Sequence, residues 1–434
     1  MTHQLKDGSQ VLQVGMLARV EGEGGMHIEI KDGIVESVKL NIFEPPRFYE
    51  AFLRGRKYTE PPDITARICG ICPVAYQSAS TEAIEAIAGA VTTPEIQALR
   101  RLLYCGEWIE SHSLHIFMLH APDFLGYDSV IEMAADHGPI VEMALRLKKA
   151  GNDLMELVGG RAIHPVNVKV GGFYRMPTKA QMMALRPDLE RGLEEAFATI
   201  KLVATFDFPD MEQPYEYVAL RHPDYYAIER GTVVSSSGVS FPVSEFPKHV
   251  KEFHVEHSNA LHAKFDDKMY MVGPLARYTL NFHQLSDRCK EAALAAGLGE
   301  TCRNQFKSII VRAVELAYAF EEALRIIDAW KDGAAPSVPV GPAKGEGMGA
   351  SEAPRGTIFH RYVTDENGII LDAQIVPPTS QNQPSIELDL KTAAQQWVDM
   401  DDHDLTHRCE HAIRNYDPCI SCATHFLDLR IKRS

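Results

Sequence analysis

The chain has 434 residues, 45% hydrophobic and 24% charged, with a net charge of −15 and a pI of about 5.6. The acidic balance argues against nucleic acid or anionic lipid as the main partner. No apolar run approaches the roughly 20 residues that cross a bilayer. The opening "MTHQLKDGSQ" has no apolar signal core, so the expectation is a chain without its own export signal, resident in the cytoplasm.

In chain order, "MHIEIKDGIVESVKLNI" alternates apolar and polar residues around Asp32-Gly33 and predicts a β-hairpin. A proline-marked break, "EPPRF", follows at 44–48. Thr93 as N-cap and Pro94 at the first helical position open a helix that keeps its periodicity to about His120. Residues 159–177 form a turn-rich crossing segment. Residues 178–204 predict a helix broken or kinked near Pro187, and 306–330 a helix free of Pro and Gly. The stretch 335–356, rich in Pro and Gly, reads as a loop. A second hairpin turns at Asn367-Gly368, and a last helix spans about 388–414. The terminal elements are too small for cores of their own. The expected architecture is therefore α+β and mostly helical, a long central helix bundle with small β-hairpin elements near both ends, forming one unit over 1–434.

Eight cysteines are too sparse for a disulfide scaffold. Cys105, Cys289, Cys302 and Cys409 stand alone and read as buried apolar residues. The other four form two C-x-x-C pairs, Cys69/Cys72 in "RICGICPVAYQ" and Cys419/Cys422 in "YDPCISCATH". Each pair offers two thiolates able to grip one soft metal ion. Zinc ribbons place their pairs some tens of residues apart, whereas 347 positions separate Cys72 from Cys419. From spacing alone, a shared functional metal, a structural zinc and separate redox dithiols all stay open. Arg67, Asp417 and His425 beside the pairs fit a site that moves protons better than a structural zinc. His112 and His115, at i, i+3 on an aromatic-flanked helix, read as packing residues, and "GEGMG" lacks the strand-to-helix setting of a dinucleotide loop.

With these motifs in place, the sequence resembles the large subunit of nickel–iron hydrogenases. The likeness runs from "ARVEGEGG" at 18–25 through "LHAPD" at 119–123, "GRAIHPVNVKVGG" and "EAPRG" at 352–356 to "DPCISCATH". It implies reversible heterolytic cleavage of H2 into protons and electrons. Cys69 and Cys419 would be terminal ligands of nickel. Cys72 and Cys422 would bridge nickel to an iron carrying cyanide and carbon monoxide. Arg355, preceded by Pro354, would hang over the metals, positioned by Asp123 and Asp417. The proton acceptor would be Arg355 or, alternatively, the Cys419 thiolate passing its proton to Glu21; from the residues alone Glu21 is a strand-end surface carboxylate. Glu50 and His425 would bind magnesium, and Thr379 would hydrogen-bond a cyanide.

Two departures bear on the subgroup. Tyr76 stands where most relatives have histidine, and Glu23 where many have histidine after "EG". The "PVAYQ" form looks most like the cytoplasmic NAD(P)-linked subgroup, including the sulfur-reducing hydrogenases of thermophiles. That resemblance implies diaphorase-type partners carrying flavin (FAD), iron–sulfur clusters and the NAD(P) site, together with an iron–sulfur small subunit. It also implies a maturation peptidase that removes residues 426–434 after His425. The competing readings are a non-catalytic relative from respiratory complex I and a hydrogen-sensing regulatory subunit. The retained cysteines weigh against the first, and the tail against the second.

Overall fold

The computed structural model describes the backbone of residues 2–4 and the chain from residue 10 to 424. His425 and the segment 426–434 lie outside the described residues.

The Asp32-Gly33 hairpin forms as expected, pairing Gly24–Lys31 with Ile34–Ile42. Both turn residues take positive φ, 50° and 75°. The hairpin is one half of a four-stranded antiparallel sheet, because Thr2–Gln4 and Gln10–Val14 add to its edge. The Thr93 hydroxyl caps the helix Pro94–Leu114 by accepting from the Ile96 N–H at 3.3 Å. That helix then widens into a π-helix over His115–His120, a geometry frequent at functional sites.

Around it lie the other long helices, Val130–Gly159, Lys179–Val203 and Ser308–Ala329. Their buried faces form one continuous core with the Pro73–Ala88 helix. The architecture is α+β with helices at the centre and small antiparallel sheets around them.

Three expectations are corrected. Lys179–Val203 runs through Pro187 as one helix, fixed at its start by a Thr178–Gln181 capping box. Within the expected 335–356 loop, Gly345–Ala353 is the edge of a three-stranded sheet with Gly356–Thr364 and Ile370–Val376. Its glycines serve close packing rather than turning. A Cβ on Gly347 would come within 2.1 Å of the Ala83 carbonyl, and one on Gly349 within 2.3 Å of that of Ala79. The strand therefore lies directly against the Pro73–Ala88 helix. The last expected helix is two, Pro378–Gln396 and Asp402–Arg414, the second started afresh by an Asp401 cap.

Candidate metal centre

The two cysteine pairs converge. The four Sγ atoms lie within 4.8 Å of one another, all buried and none in a disulfide. Cys69 and Cys419 are 3.5 Å apart, and Cys72 and Cys422 3.8 Å.

The first pair rests on secondary structure. A 3-10 turn, Ala66–Ile68, delivers Cys69, and Cys72 is the N-cap of Pro73–Ala88 with Pro73 at the first helical position. The Cys69 sulfur accepts from the Ile71 and Cys72 amides at 3.3 and 3.4 Å. Two further amides of the helix start, Val74 and Ala75, donate to the buried Glu107 carboxylate at 2.6 and 3.2 Å.

The second pair sits on a four-residue helix, Ile420–Ala423, with Cys419 as its N-cap. Other segments hold it. The Cys419 N–H donates to the Thr379 hydroxyl at 2.9 Å. The Ser421 N–H donates to the Glu21 carboxylate at 3.1 Å, and the Ser421 hydroxyl donates to the same group. The Ile420 N–H donates to the Glu21 carbonyl at 3.0 Å. Gly22 makes this approach possible. Its φ is 93°, and a Cβ there would lie 2.6 Å from that of Ile420. Arg47 joins the halves, its Nη2 donating at 2.6 Å both to the Ile68 carbonyl, just before Cys69, and to the Ser421 carbonyl, just before Cys422.

Arg355 sits in the tight turn between Gly345–Ala353 and Gly356–Thr364. It donates through Nε to the Asp417 carbonyl at 2.7 Å and through Nη2 to the Asp417 carboxylate at 2.9 Å. Its Nη1 is buried with no partner among the described residues, leaving one donor to offer a guest. Burial works against the guanidinium's charge, but Asp417 and the thiols of Cys419, Cys72 and Cys69 outweigh it and hold the pKa well above its usual value. Asp417 itself has φ 53°, a conformation that costs an ordinary residue roughly 1–2 kcal/mol and that Asp tolerates. Behind the turn, the Pro354 carbonyl accepts from Arg277 at 2.8 Å, and Arg277 is fully buried between Glu315 and Glu352.

Asp123 takes a different place from the expected one. Its carboxylate accepts from Arg414 at 2.7 and 2.8 Å and from Arg19 at 2.5 Å, so Asp417 is the carboxylate on Arg355. Arg67 turns away as well, pairing with Asp63 at 3.0 Å on the surface. Glu50 is half-buried and accepts from the Ile375 N–H at 2.7 Å; its expected partner His425 lies outside the described residues. Tyr76 is fully buried one helical turn beyond Cys72. Burial, followed by the nearby Cys422, Cys72 and Cys419, pushes its hydroxyl well above the usual value. Its ring meets His360 edge-on at 5.6 Å, so an imidazole from the strand Gly356–Thr364 packs against it.

Four buried thiols this close cannot all ionise unaided. Cys69 is held well below an ordinary thiol by hydrogen bonds from Cys419, Cys422 and Cys72, while burial, followed by Cys422, Cys69 and Cys72, pushes Cys419 well above it. Soft cations would neutralise the whole set at once, and the donor set fits them.

Residues 47–138 and 246–425 match the sequence family described as nickel-dependent hydrogenase, and the chain belongs to that family. It is the catalytic large subunit of a nickel–iron hydrogenase, an oxidoreductase acting on hydrogen. The chain is 35% identical to the sulfhydrogenase 1 alpha subunit of Pyrococcus furiosus, over 96% of this chain and 98% of that one. It is 30% identical to a chain of the F420-non-reducing hydrogenase from Methanothermobacter thermautotrophicus, over 96% and 95%. Its fold matches the crystal structure of an NAD+-reducing [NiFe]-hydrogenase in the H2-reduced state with a TM-score of 0.85 at 24% identity, over 96% and 99% of the two chains. Among the described residues no helix is long and apolar enough to cross a membrane.

Proposed function

We propose that this chain interconverts H2 with protons and electrons at a nickel–iron pair held by Cys69, Cys72, Cys419 and Cys422, and that its electrons are exchanged with NAD(P) in the cytoplasm through iron–sulfur and flavin (FAD) partner subunits. The observation that carries the reading is the convergence of the four sulfurs, near enough to the Asp417-paired Arg355 to act on its charge. Bound there, a nickel–iron pair with its cyanide and carbon monoxide ligands would be held by Cys69, Cys72, Cys419 and Cys422 and would supply redox change and Lewis acidity where H2 is polarised.

The geometry favours Cys419 over Arg355 as the proton acceptor. A guanidinium with two hydrogen bonds to Asp417 is a fixed cation. It orients and stabilises negative charge rather than taking a proton. Cys419 has a backbone bridge to Glu21, whose carboxylate is held by the Ser421 N–H, two residues further along the cysteine loop. A proton on the Cys419 sulfur would pass to Glu21 and then to Glu44, which lies against Gly22. Burial raises the Glu44 carboxyl, and the Glu21 charge adds to it, so Glu44 suits a relay.

Thr379 would hold the cyanide-bearing side of the centre as well as the Cys419 amide. Magnesium would sit between Glu50 and His425, with the tail 426–434 removed by a maturation peptidase. The electrons would leave at Gly70, which is exposed between the first two cysteines, through an iron–sulfur subunit docked over it and Ile163. Ile163 is 56% exposed, and Val166 and Tyr174 of the same segment are exposed as well.

The test is H2-dependent reduction of NAD+ and NADP+ by the assembled complex. Nicotinamide reduction that disappears when the flavin subunit is omitted, while H2-dependent reduction of an artificial dye persists, is the expected result. Dye reduction with no nicotinamide reduction by the full complex would remove the NAD(P) assignment.

A further inference from the structure

A second set of metal-type donors lies away from the cysteines, on the antiparallel hairpin of Val250–Val255 and Ser258–Phe265 where it packs on the helix Pro378–Gln396. His257 comes from the hairpin turn, His262 from its second strand and Glu387 from the helix. One ligand atom from each lies within 4.8 Å of the others. His257 Nε2 is 2.7 Å from Glu387 Oε1, and His262 Nε2 is 3.4 Å from Glu387 Oε2. The two rings stand nearly perpendicular, at 85°.

We propose that His257, His262 and Glu387 form a binding site for a divalent cation of the zinc type, with water as the remaining ligand. Zinc bonds of about 2.0–2.2 Å in a tetrahedron set ligand atoms roughly 3.3–3.5 Å apart. The 3.4 Å spacing of His262 and Glu387 has that value, while the 2.7 Å contact of His257 is a hydrogen bond that an entering ion would replace and widen. Two imidazoles and one carboxylate are a borderline donor set that suits zinc. The carboxylate is already oriented, since Glu387 Oε1 accepts the Leu40 N–H at 2.9 Å, a contact of the kind that fixes metal ligands from behind. Of the three ligands, His257 lines an open groove of about 440 Å³, together with His27, Lys39, Asn41 and Asn259, so an ion would enter from its side.

The charge balance separates this cluster from its rivals. No Lys or Arg pairs with Glu387 among the described residues, so its negative charge is met by the two imidazoles and the Leu40 N–H alone. In the cluster His120, Asp123 and His411, by contrast, two guanidinium groups already occupy the carboxylate. The third cluster, Asp401, His403 and Asp404, is a fully exposed helix start whose Asp401 is spent on capping. An ion at His257, His262 and Glu387 would tie the hairpin to the helix whose first turn carries Thr379, and so brace the seat of Cys419 from outside.

The experiment uses the assembled, nickel-loaded enzyme, washed with chelator and titrated with Co2+ as a spectroscopic probe. One equivalent per chain with visible d–d bands and no thiolate-to-cobalt charge transfer is expected. Zn2+ should displace it and raise the melting temperature. His257→Gln with His262→Gln should abolish the bands and weaken binding at least tenfold, with hydrogen uptake unchanged. Glu387→Gln, which keeps an oxygen for Leu40, should also weaken binding should the double variant fail to fold. No uptake at micromolar Co2+, a charge-transfer band placing the ion on cysteine, or unchanged binding in both variants would overturn the site.

Discussion

Cys72 opens a 16-residue helix whose first amides are capped from below by Glu107, whereas Cys419 opens a helix of four residues. Four residues cannot hold a helical turn by themselves. The second half of the centre therefore depends on side chains from elsewhere, Glu21, Thr379, Arg47 and the Arg355–Asp417 pair. One half is made by secondary structure, and the other is clamped into place. A clamped half can close last, after metal has entered, which fits a chain whose segment beyond His425 is proposed to be removed late. The contrast also predicts that substitutions behind the second pair loosen the centre, while those behind the first pair chiefly weaken the fold.

The strongest break is Cys419→Ala. It removes a sulfur that belongs to both the metal set and the proposed proton route, and hydrogen uptake should vanish; uptake retained in the purified variant would contradict the role. Next is Arg355→Lys, which loses the paired contacts to Asp417. Loss of a preorganised donor of this kind costs about 10²–10³-fold in kcat. Nickel content should stay unchanged, so hydrogen uptake and metal analysis on one sample separate orientation from assembly.

Arg47→Ala should act on the clamp. It leaves the Ile68 and Ser421 carbonyls without this donor, at about 1–3 kcal/mol for a buried polar group left unpaired. Nickel occupancy should fall along with the melting temperature. Glu107→Ala, which strips the cap from the long helix, should lower the melting temperature with a smaller loss of nickel. Equal nickel losses in the two variants would erase the distinction between the halves.

The smallest effect concerns pH. Glu82, on the helix that Cys72 begins, is half-buried, and that burial pushes its carboxyl up to about 8. Its folded value lies above its unfolded one of about 4.5, so the folded state holds the proton more tightly. Stability is then greatest below that lower value and falls as pH rises towards 8. Glu82→Gln keeps an acceptor for the Ala350 N–H and should flatten this part of the melting-temperature profile between pH 5 and about 8. A wild-type profile with no fall, or a variant with the same fall, would disprove it.

What could be read from sequence was what rests on local chemistry. Asp32-Gly33 had to turn because both residues tolerate positive φ, and Thr93-Pro94 had to start a helix. The four cysteines were legible as two metal-type pairs, but spacing alone left a functional metal, a structural zinc and redox dithiols open, and the flanking motifs decided among them. The strand Gly345–Ala353 was not, since glycine marks turns far more often than it marks a strand pressed on a helix backbone. Nor were Arg47 and Glu107, which act on backbone carbonyls and amides that any residue could supply. Asp123 and Asp417 both sit beside motifs, and only the fold shows that Arg414 and Arg19 claim the first and Arg355 the second. Tyr76 was visible as a departure, but the His360 ring that packs on it comes from a strand nearly three hundred residues away.

The central claim is that the four converging sulfurs hold a nickel–iron pair. The most direct measurement joins metal analysis with infrared spectroscopy on the mature enzyme. One nickel and one iron per chain, with cyanide and carbon monoxide stretching bands that change under H2, is the predicted result. Zinc alone at the four cysteines, with no such bands in fully matured protein, would contradict it.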